Sequence, residues 1–418
     1  MADIQPLRAL HYDQAVAGPL QNLVAPPYDV IDPAQRTQLA GHSPHNVVQV
    51  DLPAGEDPYG TAAKLWERWQ AEGAVVRDET PALWALTQDY SGPDGAAKTR
   101  RGFFARVRVE DYGPGRIRPH ERTHPGPRED RLNLTRATRV NMSPIFSLFS
   151  DPDATAWGAL APFTQAQPWG EATDEDGTHN RLWRIEDPAA IAAVQEATRD
   201  AELLIADGHH RYETARVYAD EVRGEGEHRY VLMNLVAMED EGLTVFPTHR
   251  LVTNTTPATR EALAASLREH FDLDELGSPG ELPPPQGEGP LEMGYLDAHF
   301  KRPFRLTLKD QAIADEALAQ FPKAYRRLDT AVLEALLLKG PLGLTDDDID
   351  HQHGLTYSRT DDEAIDMVTS GKADVAFFLR PNPVRQVQEI AATGVNMPPK
   401  STYFFPKVPT GLLFNPLT

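Results

Sequence analysis

Residues 203–215, LLIADGHHRYETA, set an acid, a glycine, two histidines and an arginine directly after an apolar run. A strand ending there and a helix starting there would point unpaired backbone N–H groups, and the positive end of the helix dipole, at whatever lies beside Gly208. That is an anion site in outline. Glycine lets the backbone approach a ligand, His210 and Arg211 can pair with phosphate oxygens, and Asp207 can take a proton from a substrate hydroxyl or hold a metal. The competing expectation is local, with Asp207 capping the helix and both histidines satisfied by neighbours.

A second stretch, HERTH at 120–124, matches the H-E-x-x-H spacing of zinc proteases. Pro119 precedes it and Pro125 and Pro127 follow, so no ligand-bearing helix can be centred on it and the protease reading fails. A loop presenting Glu121 near Arg118, Arg122, Arg128 and Arg131 is expected instead. A carboxylate among arginines stays ionised and could act as base or metal ligand while the arginines neutralise phosphate; the alternative is a surface salt-bridge network. Near the end of the chain, MPPKSTYFFPKVPTGL (397–412) offers Lys400 and Ser401, with Thr402, either to complete an anion site or as part of a terminal strand docked on the core. In VAPPYDVI (24–31), two prolines fix Tyr28 and Asp29. The tyrosine is expected to plug the core, with stacking on a base as the alternative. Neither G-x-x-x-x-G-K-[ST] nor G-x-G-x-x-G occurs, so a bound nucleotide would lie outside those two schemes.

The elements that must position these groups alternate between strand and helix. VVQVDL (47–52) is β-rich, YGTAAKLWERWQAEGAVV has helical spacing, and PALWALTQDY and RRGFFARVRVEDY flank a Gly-containing turn as a hairpin would. The basic, Pro-punctuated 116–141 stretch predicts a functional loop with a short helix, and SPIFSLFS resumes as strand. DPAAIAAVQEATRDA predicts a helix capped by Asp187, leading into the strand and helix around Asp207 and then the strand RYVLMNLVAM. GSPGELPPPQGEG (277–289) reads as a loop; beyond it LDTAVLEALLL predicts an amphipathic helix and ADVAFFL a buried strand. The expectation is an α+β protein, with a mixed-sheet domain at 1–254 carrying the strand-helix site. A C-terminal α/β domain at 255–418 follows, whose terminal segment returns to the site.

The 418 residues carry 41 Lys or Arg against 62 Asp or Glu, a formal charge of -21, which argues against nucleic acid or anionic lipid as partner. The charge is uneven: Lys98 to Arg139 holds twelve basic and five acidic residues, leaving 29 against 57 elsewhere. With no cysteine, thiol catalysis, disulfides and cysteine-held metals are excluded. No basic-then-apolar leader and no membrane-length apolar run is present, so a cytoplasmic, soluble protein is expected.

IADGHHRYETA resembles the signature of the ParB/sulfiredoxin-like superfamily, in which a G-x-x-R-x-x-A type block at a helix start binds nucleotide phosphates. Its free-serine kinases carry a similar Asp-Gly-His-His-Arg block. The resemblance implies phosphate contacts from Gly208, His209, His210 and Arg211, with Asp207 as catalytic or metal-binding acid; sulfiredoxin chemistry needs a cysteine that is missing here. Across nearly the whole chain, the ordered blocks VAPPYDVI, RPHERTHPGPREDRL, SPIFSLF, IADGHHRYETA, FPTHRLV and MPPKSTYFFPKVPTGL resemble a prokaryotic family known as domain of unknown function 1015. Together these readings predict a kinase that moves phosphate from ADP or ATP to a small hydroxyl such as that of free L-serine. Mg²⁺ would be held by Asp207 or Glu121 and by phosphate oxygens. The alternative is a nucleotide-binding regulatory protein without turnover.

Overall fold

The computed structural model describes residues 2–93, 95–123, 125–285 and 289–418; His124 of HERTH and 286–288 of the Pro/Gly-rich stretch lie outside the described residues. The chain forms two compact units. The first comprises Met1–Pro119, Thr123–Thr244 and Pro406–Thr418, the second His120–Arg122 and Val245–Phe405. The main division therefore falls at 244, where the sequence reading placed it at 254, and the last thirteen residues belong to the first unit. None of the helices among the described residues is long and apolar enough to cross a membrane.

The first unit is built on a nine-stranded mixed sheet. Its strands are β1 (Ile4–Gln5), β2 (Leu83–Ser91), β3 (Ala97–Arg108), β4 (Ile117–Arg118), β5 (Ile145–Phe149), β6 (Gly170–Thr173), β7 (His179–Ile185), β8 (Leu203–Asp207) and β9 (Tyr230–Ala237). They run in the order β4-β8-β5-β9-β3-β2-β7-β6, with β1 on β3. Only β4 with β8 and β5 with β9 pair in parallel. The hairpin expected around 92–96 is β2 with β3, in register from Ser91 opposite Ala97 to Trp84 opposite Phe104.

Alternation along these strands sends Phe103, Ala105, Met233, Leu235, Ile145 and Ile205 to one face, where they form the main core. Helices α1 (Pro125–Thr138), α2 (Thr155–Leu160), α3 (Pro188–Ala197) and α4 (His209–Val222) belong to the same unit. Of these, α2, α3 and α4 supply Leu160, Val194 and Tyr212 to that core. Asp187 caps α3 by accepting from the Ala190 N–H, with Pro188 in the first turn, as its sequence predicts. The opposite face is unusual in carrying buried polar groups: Gln88, Arg100, Asn180 and Asn234.

One expected strand is a helical turn. Val48–Asp51 is α-helical, not extended. Asn46 explains the difference: its amide donates to the carbonyls of Asn22 and Val24 (2.9 and 3.1 Å), and its side-chain oxygen accepts from the Val48 N–H at 3.0 Å. The turn so anchored buries Val47, Val48 and Val50 completely, and packing overrides the β preference of the valines.

The second unit contains a six-stranded antiparallel sheet of β10 (His249–Val252), β11 (Phe271–Glu275), β12 (Glu292–Asp297), β13 (Phe304–Leu308), β14 (Leu355–Ser358) and β15 (Val375–Phe378), ordered β11-β13-β12-β15-β10-β14. Its core joins Leu251, Leu296 and Phe378 to Leu282 from the loop after β11 and to Ala364 and Val368. The helix expected in LDTAVLEALLL is buried along Asp329–Leu333 and continues as a π-helical turn, Glu334–Leu338, so it is an interior element more than an amphipathic one.

Gly294 on β12 has the Leu282 backbone carbonyl where a side chain would begin: a Cβ there would lie 2.1 Å from that oxygen. Gly294→Ala should therefore destabilise the second unit by about 2 kcal/mol or more in urea unfolding, because backbone cannot move aside as a side chain can. Gly289→Ala, with nothing among the described residues within 4 Å of the new methyl, should change stability by less than about 0.5 kcal/mol.

Candidate anion site

β8 ends at Asp207 and α4 starts two residues later, with Gly208 as the turn between them. Gly208 has φ +98°, in the left-handed region, and a Cβ on it would come within 3.1 Å of the Arg211 guanidinium. Its carbonyl accepts the first helical bond, from the Tyr212 N–H at 3.0 Å. Asp207 does not cap the helix. One carboxylate oxygen accepts from Arg211 Nη2 at 2.5 Å and the other from Lys407 Nζ at 2.8 Å. All three side chains are largely buried, at 17%, 9% and 13% exposed.

Burial alone would raise the Asp207 pKa, but the Lys407 ammonium and the Arg211 guanidinium, with His209 beyond them, hold it well below the usual carboxylate range. Arg211 is correspondingly raised: burial opposes its charge, and Asp207 and Asp29 more than offset that. A further guanidinium, Arg100, lies within electrostatic reach of Asp207 and is completely buried. It stacks over the Phe146 ring at 4.3 Å and donates to the neutral amide of Gln88. Desolvation lowers its pKa to about 9. Gln88 in turn donates to Asn180 (2.8 Å) and to the Lys407 carbonyl (3.0 Å), tying Arg100 to the segment that carries Lys407.

Behind Arg211 lies a second layer. Arg131 on α1 donates to the Asp51 carboxylate at 3.0 Å and to Asp130 at 2.6 and 2.8 Å, and covers the Tyr28 ring at 4.2 Å. Asp51 also accepts from the Ser143 hydroxyl (3.2 Å), which pairs with that of Thr410 (2.8 Å). Burial raises the pKa of Asp51, against the opposing pull of Arg131 and Arg211. Tyr28 is half-buried against a cation and is no core plug; burial and the neighbouring Asp29 push its hydroxyl up to about 12. Both arginines, Asp51, Thr135 and Ser143 line a polar cavity of about 40 Å³. That volume suits water and falls far short of a ligand chamber.

The sequence-predicted residues thus divide. Asp207, Gly208, His209, His210 and Arg211 share the turn, with His209 buried and His210 half-buried. Arg131 stands in the layer behind Arg211. Arg118 is elsewhere: on edge strand β4 it pairs with Glu202 at 3.0 Å and sits opposite Leu204, about 10 Å along β8 from Asp207. Glu121, Arg122, Lys400 and Ser401 belong to the second unit. There the Lys400 loop is tied down from several sides. His120 contacts the Thr402 hydroxyl (2.8 Å), Arg250 donates to the Pro399 carbonyl (2.9 Å) and Asn382 to the Ser401 carbonyl (2.6 Å). Ser401 is buried and its hydroxyl donates to the Pro398 carbonyl at 2.6 Å, so it shapes the loop and is not presented to a ligand. Lys400 is exposed, at φ +55°. Glu121 is 30% exposed, 3.9 Å from the His120 ring.

The metal expectation does not fit this donor set. Both oxygens of Asp207 already hold cations, and among the described residues no group of three or more His, Asp or Glu is placed to bind a metal ion. Asp51, Arg100 and Lys407 were not singled out as site residues by sequence. Lys407 was visible only as one basic residue in an aromatic segment, and Arg100 as one of many in a basic strand.

Asp207→Asn should cost about 3 kcal/mol at neutral pH, because it strips two buried cations of their carboxylate. The folded-state pKa is depressed, so this contribution is present above the unfolded carboxylate value and is lost as pH falls through the folded one. Urea unfolding should show the same gap between wild type and variant at pH 7 and about pH 5.5, and a smaller gap below about pH 4, near the unfolded value.

Among solved structures, a conserved hypothetical protein from Pyrococcus furiosus is similar at 14% identity, covering 70% of this chain and 89% of its own, with a TM-score of 0.35. A free serine kinase in complex with AMP aligns at 12% identity over 69% of this chain and 83% of its own, and SbnI with a C-terminal truncation from Staphylococcus aureus at 12% over 72% and 82%, both with a TM-score of 0.36. Likeness at that level carries no argument about what this chain binds. No curated protein matches it. A family model does, over residues 4–331, which takes in β8 and the turn at Gly208 but ends before Lys407. By that match the chain belongs to the family described as protein of unknown function, DUF1015.

Proposed function

We propose that the turn at Gly208 binds the phosphates of a nucleotide and that the protein is a small-molecule phosphotransferase acting on a hydroxyl, with free L-serine as the first acceptor to test. The observation that carries the reading is the charge around Asp207. The Asp207 carboxylate holds Arg211 and Lys407 directly in a largely desolvated setting, with Asp29 and Asp51 also within electrostatic reach of Arg211. Two cations held in place by a buried carboxylate at the start of a fourteen-residue helix, where backbone N–H groups and the helix dipole add to their field, support an anionic ligand. Phosphoryl transfer asks a protein mainly for position and charge neutralisation, which these groups supply.

Asp207 itself serves as the anchor that aims Arg211 and Lys407. A carboxylate held this far below neutrality is a weak general base, so removal of the acceptor proton falls to another group, with His210 of the same turn as the candidate. The same feature favours a second reading, nucleotide sensing without turnover.

Two measurements test and separate these readings. In a thermal-shift series ADP or ATP with Mg²⁺ should stabilise the wild type, and Arg211→Ala should weaken nucleotide affinity about tenfold or more through loss of a charge-assisted contact. No stabilisation by any nucleotide would overturn both readings. Phosphorus NMR of the protein with L-serine, Mg²⁺ and ADP or ATP should show phosphoserine growing with time. Binding without consumption of nucleotide across a panel of hydroxyl acceptors would leave the sensor and remove the kinase.

A further inference from the structure

The strands that place Asp207 at one end of the sheet form a separate cavity at the other. Where β5 and β9 finish and β3 begins, the first unit encloses about 280 Å³, close to the lower limit for small-molecule pockets. Its walls are apolar and aromatic. Phe103 and Phe149 meet edge to face with centroids 6.1 Å apart, and the half-buried Trp157 of α2 adds a third ring.

The lining is also acidic. Asp151, Glu239, Asp240 and Glu241 line it, against the single guanidinium of Arg101. The carboxylates are held in place chiefly by neutral donors. Asp151 accepts from the N–H groups of Thr155 and Ala156, both at 2.9 Å, and Glu239 from the Ser150 hydroxyl (2.8 Å) and the Asp151 N–H (2.9 Å). Asp240 accepts from the Gly242 N–H at 3.0 Å. Arg101 is 44% exposed and stands 3.9 Å from Asp240, a weak and solvated partner. These donors orient the negative charge without cancelling it. Asp240 also faces the buried Arg100, so four carboxylates stand against two guanidinium groups; aromatic faces joined to an excess of carboxylates attract a cation with an apolar body.

We propose that this cavity binds a small organic cation, a primary amine on an aromatic or branched aliphatic body. The walls take the body, and Asp240 with Glu241 takes the ammonium group. The cavity lining includes no residue of the turn at Gly208, and the proposal requires no nucleotide.

Isothermal titration of the full chain with phenethylamine and with 3-phenylpropionate, which pairs a similar body with the opposite charge, tests this directly. The amine should bind with a Kd of about 1 mM or tighter and the acid at least about tenfold more weakly. The double variant Asp240→Asn/Glu241→Gln should lose about tenfold in amine affinity, and Ala237→Phe, which fills the cavity, should abolish amine binding. No heat from the amine at about 10 mM, or amine and acid binding alike, would overturn the proposal. So would undiminished binding by a folded Ala237→Phe. If that variant does not fold, unchanged amine affinity in the double variant is by itself sufficient to overturn it.

Discussion

The Asp207 carboxylate fixes two cations that sequence alone would never pair. Arg211 comes from the next turn of chain and Lys407 from 200 residues further on. For both to meet one carboxylate, the terminal segment must return to the first unit and be held there. It is held by the backbone pairs of Ala25 with Thr410 and Leu10 with Phe414, and by the Asn141 and Asn415 pairing. Ser143 and Thr410 connect the same segment to Asp51, and Asp51 to Arg131. The ion pair is therefore the point where the strand end, the helix start and the chain terminus are locked in one geometry. A buried charge pair is a demanding way to achieve this, since each ion must be desolvated. Such pairs can specify an arrangement as well as stabilise it.

This constraint also decides which chemistry each group can do. Asp207 stays ionised because two cations touch it, and the same contacts make it a poor proton acceptor near neutral pH. Under the proposed phosphotransfer, its part is to hold Arg211 and Lys407 still, so that the charge of a phosphoryl group meets preorganised partners. Arg100 extends the effect from below the sheet surface. It bonds to a neutral amide, lies over a ring and faces both Asp240 and Asp207. The left-handed Gly208 completes the arrangement: a side chain there would push against the Arg211 guanidinium.

Much of this was legible in the sequence, and the failures have physical causes. DGHHR after an apolar run marks a strand end and helix start because glycine at that junction has a specific backbone use. The hairpin, the capped helix after Asp187 and the strands at Ile145–Phe149, Leu203–Asp207, Tyr230–Ala237 and Val375–Phe378 follow from period and turn chemistry; the other short strands of the second sheet carry no such signal. Asp51 was hidden because VVQVDL carries a β-like pattern whose outcome is set by Asn46, through contacts to residues more than twenty positions away. Lys407 and Arg100 were hidden because a single basic residue in a strand says nothing of what its side chain reaches. The basic stretch around HERTH reads as one cluster, yet Arg118 and Arg131 belong to the first unit and Glu121 and Arg122 to the second. Nearness in sequence is no guide to which carboxylate an arginine meets.

The most direct test of the central claim is a crystal structure of the protein grown with ADP. The account predicts phosphate oxygens within hydrogen-bond distance of Arg211 and Lys407 and of the backbone N–H groups that open the helix at His209. Density for the nucleotide at full occupancy elsewhere, with the Asp207, Arg211 and Lys407 contacts unchanged and no anion beside them, would contradict it.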